Sequence, residues 1–194
     1  MASQSLQKWE TERLRKLNEI ESAHRGVGGG GRGRRYATQQ INQAYAVLLS
    51  SQFQGFCRDL HSECVDLMVG FMVTTSPQFA HIALQEFLRS RKLDAGNPNP
   101  TNLGTDFNRL GVKFWDDVKR KDLRNADRQR KLEALNNWRN AIAHQDFDPR
   151  KLGGATELSL MTVRQWRNAC EQLATDFDEV MFDYIYTLTG QAPW

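Results

Sequence analysis

An arginine, an asparagine and a histidine near residue 140 are the groups in this 194-residue chain best suited to chemistry on a phosphodiester. They are Arg139, Asn140 and His144, in the stretch Trp138-Arg139-Asn140-Ala141-Ile142-Ala143-His144-Gln145-Asp146. A guanidinium pairs with phosphate oxygens through a planar fork of donors. An imidazole can take and return protons near neutral pH, and a carboxamide both donates and accepts hydrogen bonds. Such a set can act on a phosphodiester with no metal and no cofactor. At about 100° per residue, Asn140 and His144 share a helix face, whereas Arg139 and His144 lie about 140° apart. One helix does not aim the arginine and the histidine at a single atom. Two copies of the chain, related by a two-fold axis, could do so.

The elements that must position these groups read as helices. The stretch closes a helix expected over about residues 126–145, with Leu132, Leu135, Trp138 and Ile142 as its apolar stripe and Asp148-Pro149 and Gly153-Gly154 as its stop. A long helix is expected from Tyr36 to about Val73, with Ile41, Tyr45, Leu48, Phe53, Phe56, Leu60, Cys64, Leu67 and Phe71 at spacings near three and four. Ser76 and Pro77 can open a further helix as N-cap and first residue. Asn97-Pro98-Asn99-Pro100 enforces an extended loop. Thr105 can cap a short helix carrying Phe107, Leu110, Phe114 and Val118. Residues 150–161 read as loop or a short extended piece, and Thr162 to Gln165 matches a capping box. Behind that box Val163, Trp166, Cys170, Leu173, Phe177, Val180, Tyr184 and Leu188 form the most regular stripe in the chain.

Upstream lie two smaller segments. Residues 1–25 read as an amphipathic helix, with Leu6, Trp9, Leu14, Leu17 and Ile20 on a loose apolar face. Residues 26–35 read as a Gly/Arg-rich flexible linker, with six glycines between Gly26 and Gly33. A G-x-G-x-x-G spacing falls across Gly26, Gly28 and Gly31, but no strand precedes it, so a dinucleotide fold is excluded. The main domain is expected over residues 36–190, and the fold class is all-α.

Composition narrows the function classes. A net charge of +3 is too small by itself to announce a nucleic-acid partner. The local balance is more telling: Lys121, Arg124, Arg128 and Lys131 belong to a basic run that leads into the motif helix and could gather RNA phosphates. A solvated helix face is the plainer account of the same run. No apolar run approaches the ~20 residues that span a bilayer. Cys57, Cys64 and Cys170 form no disulfide pattern, which points to a reduced, cytoplasmic setting. Cys57, His61 and Cys64 share one side of a helix, but a structural zinc site needs a fourth ligand, and core packing is the better account. No metal site is expected.

The Arg139-Asn140-x-x-x-His144 motif, with the long helix bearing Leu48-Leu49, Phe53 and Phe56, the Asn/Pro-rich middle, Leu110-Gly111, Phe114-Trp115 and the helix opening near Thr162, resembles the HEPN family, in its RiboL-PSP-type branch. The resemblance covers roughly residues 36–190 and implies a bundle of about four to five helices. It also implies a homodimer with a composite site, and an RNA substrate cleaved without metal to 2′,3′-cyclic phosphate and 5′-OH ends in a defence or toxin–antitoxin setting. An antitoxin or other regulatory protein would then be a partner. In that reading Arg139, Asn140 and His144 are catalytic. Some members of the family are adaptors that bind RNA, nucleotide or protein without cleaving, and a helical interaction module with no RNA role is a third reading of the same pattern.

Overall fold

The computed structural model describes residues 1–27, 35–73 and 76–194. A continuous helical segment opens the chain: α1 (Gln4–Lys8), a wider π-helical turn (Trp9–Arg13) and α2 (Leu14–Val27). There follow α3 (Arg35–Val73), α4 (Pro77–Leu88), α5 (Lys92–Ala95), α6 (Pro100–Asn108), α7 (Phe114–Lys121), α8 (Asn125–His144) and α9 (Leu160–Thr189). Among the described residues there is no strand, and none of the helices is long and apolar enough to cross a membrane. Most of the Gly/Arg-rich linker expected over residues 26–35 lies outside the described residues.

Helix α3 is the post on which most of the others pack. Tyr45, Leu49, Phe53, Phe56, Leu60, Cys64 and Met68 recur every three or four residues and are all buried, the spacing of one helix face. Ala46, Cys57 and Val65 are buried as well, so α3 is covered on more than that one face. Helices α8 and α9 pack against it and against each other. From α8 come Leu132, Leu135 and Trp138; from α9 come Val163, Trp166, Cys170, Leu173 and Phe177. Phe177 links the layers, with its ring 6.0 Å from Phe53 and 4.7 Å from Phe114. The two long stripes are wrong only at their ends. Phe71 and Leu188 are exposed, since α3 and α9 outrun the core there.

The helix count exceeds the expected four to five because the middle of the chain breaks into short pieces. The single helix anticipated from Thr105 is two, α6 and α7. Asn99 caps α6, its Oδ1 accepting the Asn102 N–H at 2.8 Å, with Pro100 at the first position. The break between them is Gly111, whose φ of +94° is a conformation that side chains rarely adopt. The Tyr184 hydroxyl crosses there to donate to the Leu110 carbonyl at 2.7 Å. The capping box expected at Thr162 is likewise displaced: α9 starts earlier, with Ser159 as its N-cap accepting the Thr162 N–H at 3.0 Å. Ser76 and Pro77 do open α4.

The N-terminal segment is part of this core. Leu6, Trp9 and Leu17 are buried, and the Trp9 ring meets Phe53 at 5.8 Å and Phe56 at 5.7 Å. Polar bonds fix the same segment to both long helices. Arg13 and Lys8 both pair with Asp59 of α3, and Glu21 pairs with Arg164 and Arg167 of α9.

Cys57, His61 and Cys64 are all buried. Among the described residues no three His, Cys, Asp or Glu side chains come together to hold a metal ion. His61 sits edge-on to Phe107 at 5.3 Å, with Nε2 3.2 Å from the Asp106 carbonyl oxygen. Burial, joined by the nearby Arg91 guanidinium, holds its imidazole down at about 4 against an ordinary 6.5. Because the unfolded chain takes up the proton first, stability is complete above about pH 6.5 and is lost as pH falls toward 4. The gap corresponds to roughly 3 kcal/mol. Urea unfolding at pH 7 and pH 4.5 should therefore show a drop in the parent about 2.5 kcal/mol larger than in His61→Gln. Equal drops would clear His61 of the effect.

Candidate functional site

Helix α8 carries the motif and also sets its limits. Leu135, Trp138 and Ala141 anchor it in the core, which leaves Asn137, Asn140 and His144 on its other side. His144 is the last residue of the helix and is exposed. Gln145 then enters the left-handed region at φ 55°, and its N–H closes on the Ala141 and Ile142 carbonyls. The Asp146 N–H also bonds Ala141 O, at 3.0 Å, a reversal of the kind that ends many helices. Phe147 folds back with its ring 6.3 Å from Trp138. The chain after the helix thereby returns alongside it.

That return makes a cleft of about 530 Å³ lined by Asn137, Asn140, Ala141, His144, Asp146, Arg150 and Lys151. The returning loop is held by buried Leu152 and Leu158. It is also held by the Leu158 carbonyl, which accepts from Asn42 Nδ2 at 2.7 Å. Arg150 grips the Asp148 carboxylate through Nε and Nη2 at 3.1 and 3.0 Å, and Asp148 is held below its ordinary range by that pairing. Lys151 Nζ lies 2.7 Å from Asp146, and that hydrogen bond, with the carboxylate's charge, raises the ammonium's pKa. Both cations are exposed, so each stays open to an incoming anion from the solvent side.

Asn140 and His144 thus share the cleft, as their spacing on the helix requires. Arg139 does not line it. It is half-buried on the adjoining flank, where Nη1 donates to Asn140 Oδ1 at 3.2 Å. The same Oδ1 accepts from Asn97 Nδ2 at 2.9 Å. Within one chain the arginine therefore reaches the site through Asn140.

The basic run expected to gather RNA is distributed differently. Arg128 is buried, and its Nη1 donates to Asp122 and Asp176 at 2.9 Å each and to Asn125 at 2.8 Å. Lys121 lies 2.8 Å from Glu179, Arg124 2.8 Å from Asp122 and Lys131 2.8 Å from Asp127. The run abuts the motif in sequence only through the length of α8. At about 1.5 Å per residue, Arg128 and His144 stand about 24 Å apart along the axis. Arg150 and Lys151, which do flank His144, fall in the stretch that reads as loop. The signal available for them was a basic pair just beyond the helix-stopping Asp148-Pro149.

A family model described as RiboL-PSP-HEPN matches residues 8–183. This chain belongs to the RiboL-PSP-HEPN family. The match begins inside the N-terminal helical segment, well upstream of residue 36, where the resemblance read from sequence begins. That agrees with Trp9 and Leu17 being buried in the core of this HEPN chain. Comparison with curated proteins and with solved structures gave no match.

Proposed function

We propose that this HEPN-family chain is an endoribonuclease that works through side chains alone, with His144 as the proton-transfer group. What supports the reading is the cleft itself: an exposed imidazole beside Asn140, with Arg150 and Lys151 on the opposite wall and Arg139 bonded to that same Asn140. His144 takes the proton of a ribose 2′-OH, whose oxygen bonds to phosphorus. The P–O5′ bond breaks, and the departing 5′ oxygen takes that proton back from the His144 imidazolium. The products are a 2′,3′-cyclic phosphate and a 5′-OH. Arg139 stabilises the charge that gathers on the phosphorane oxygens. Since Arg139 stands off the cleft in one chain, the proposal includes a homodimer in which the motifs of two protomers converge on one phosphate.

Arg150 and Lys151 hold the flanking RNA backbone. Lys121, Arg124 and Lys131 serve as outer contacts for a longer strand, whereas Arg128 is committed to Asp122 and Asp176. A regulatory protein of the antitoxin kind would act by covering the cleft.

The test incubates the purified protein with mixed RNA in EDTA and reads the product ends. Cyclic phosphate and 5′-OH ends are expected. A folded protein that binds RNA and leaves it intact would replace this reading with that of a binding adaptor.

A further inference from the structure

A carboxamide can face either way, and its direction decides whether Asn140 offers the cleft a donor or an acceptor. A chain of hydrogen bonds fixes that direction, beginning with a group that has no choice. The backbone N–H of Asn102 can only donate, and it bonds Asn99 Oδ1 at 2.8 Å. Asn99 therefore turns Nδ2 toward Asn97 Oδ1, at 2.8 Å. Asn97 in turn presents Nδ2 to Asn140 Oδ1, at 2.9 Å. Arg139, which has no acceptor form, donates to the same oxygen at 3.2 Å. With both lone pairs of Oδ1 engaged, what Asn140 has left is its Nδ2 hydrogens.

The relay is also held rigidly against α8. Asn97 is buried, its carbonyl accepts from Asn102 Nδ2 at 2.8 Å, and the Pro98 carbonyl accepts from Asn136 Nδ2 at 3.2 Å. A turned amide anywhere in this series would set two donors or two acceptors face to face, at the cost of leaving buried polar groups unpaired.

We infer that Asn97 is a positioning residue for the cleft: through this relay it fixes Asn140 as a hydrogen-bond donor to a non-bridging oxygen of a phosphate held beside His144. The inference rests on the ribonuclease reading only for what is done to that phosphate, not for its binding. Asn97→Asp keeps the acceptor for Asn99 but has no donor for Asn140, so the Asn140 amide reverses and presents its oxygen to the anion. Asn97→Leu removes both bonds and leaves Arg139 alone to orient Asn140. Asn140→Asp keeps the oxygens that Asn97 and Arg139 need and deletes the donor.

The experiment measures binding of a non-cleavable 2′-O-methyl oligoribonucleotide, and cleavage of its RNA counterpart, by the parent and all three variants. Thermal unfolding of each serves as control. Asn140→Asp and Asn97→Asp are expected to lose binding and cleavage by about ten- to a hundredfold, the range for a hydrogen bond to a charged group. Asn97→Leu should lose less than Asn97→Asp, although it breaks more of the loop, and the gap should persist when salt screens the added carboxylate; a merely structural role for Asn97 predicts the opposite order, or a gap that salt closes, and either would overturn the inference. The Asn140 Nδ2 resonances in 15N spectra should also move on adding inorganic phosphate to the parent, and stay still in Asn97→Asp. If the parent binds the probe but cleaves nothing, the ribonuclease reading falls, while the binding order and the resonances still judge the relay. A parent that neither binds the probe nor responds to phosphate sinks both.

Discussion

His144→Ala is expected to slow RNA cleavage by about 10²–10⁴-fold, the usual contribution of a positioned general acid or base, with no fall in thermal stability. The two halves of that expectation have separate causes. The activity loss follows from His144 being, among the described residues, the only imidazole that lines the cleft. The unchanged stability follows from its place as an exposed last residue of α8 with no side-chain hydrogen bond among the described residues. Removing it deletes no core contact. The check is single-turnover cleavage in EDTA beside a melting curve. Equal cleavage by parent and variant would move the chemistry to another site.

Trp9→Ala is expected to cost about 3–5 kcal/mol, the range for deleting a large aromatic from a core. Trp9 is 1% exposed and sits against Phe53 and Phe56 near the middle of α3. With native stabilities of about 5–15 kcal/mol, such a loss leaves the chain close to unfolding at ordinary temperature. The measurement is the urea midpoint of the full chain. A loss below about 1 kcal/mol would mean that α1 and α2 dock without contributing to the fold. Activity should fall only in step with the unfolded fraction, because Trp9 lies in the hydrophobic core and not in the cleft.

Trp9 also marks where sequence reading ran short. Its segment has an imperfect apolar stripe, because Trp9, Leu14 and Leu17 straddle a π-helical turn that breaks the regular period. A pattern scan at 3.6 residues per turn blurs such a face. The stripes of α3, α8 and α9 were legible because each is an unbroken helix whose period runs for many turns. The middle was not: Gly111 and the Tyr184 hydroxyl that meets it are 73 positions apart, and neither announces the other. At the site, the shared face of Asn140 and His144 and the offset of Arg139 could be read from 100° per residue alone. The role of Asn97 could not. Its loop was plain from the two prolines, but which helix the loop lies against is decided by the packing of α6 and α8. Nor could spacing tell that the acids of α9 would meet Lys121 and Arg128, since ion pairing between helices depends on their register.

The three thiols of this chain are all in the core. Burial pushes Cys170 well above the ordinary thiol range, and Cys57 and Cys64 move the same way for the same reason. The reactive species is the thiolate, so the folded molecule is inert both to alkylating reagents and to mild oxidants. Each thiol becomes available only when the packing around α3 and α9 opens. Labelling of the cysteines in the native protein is therefore a clock for opening of the bundle, and it runs without any engineered probe.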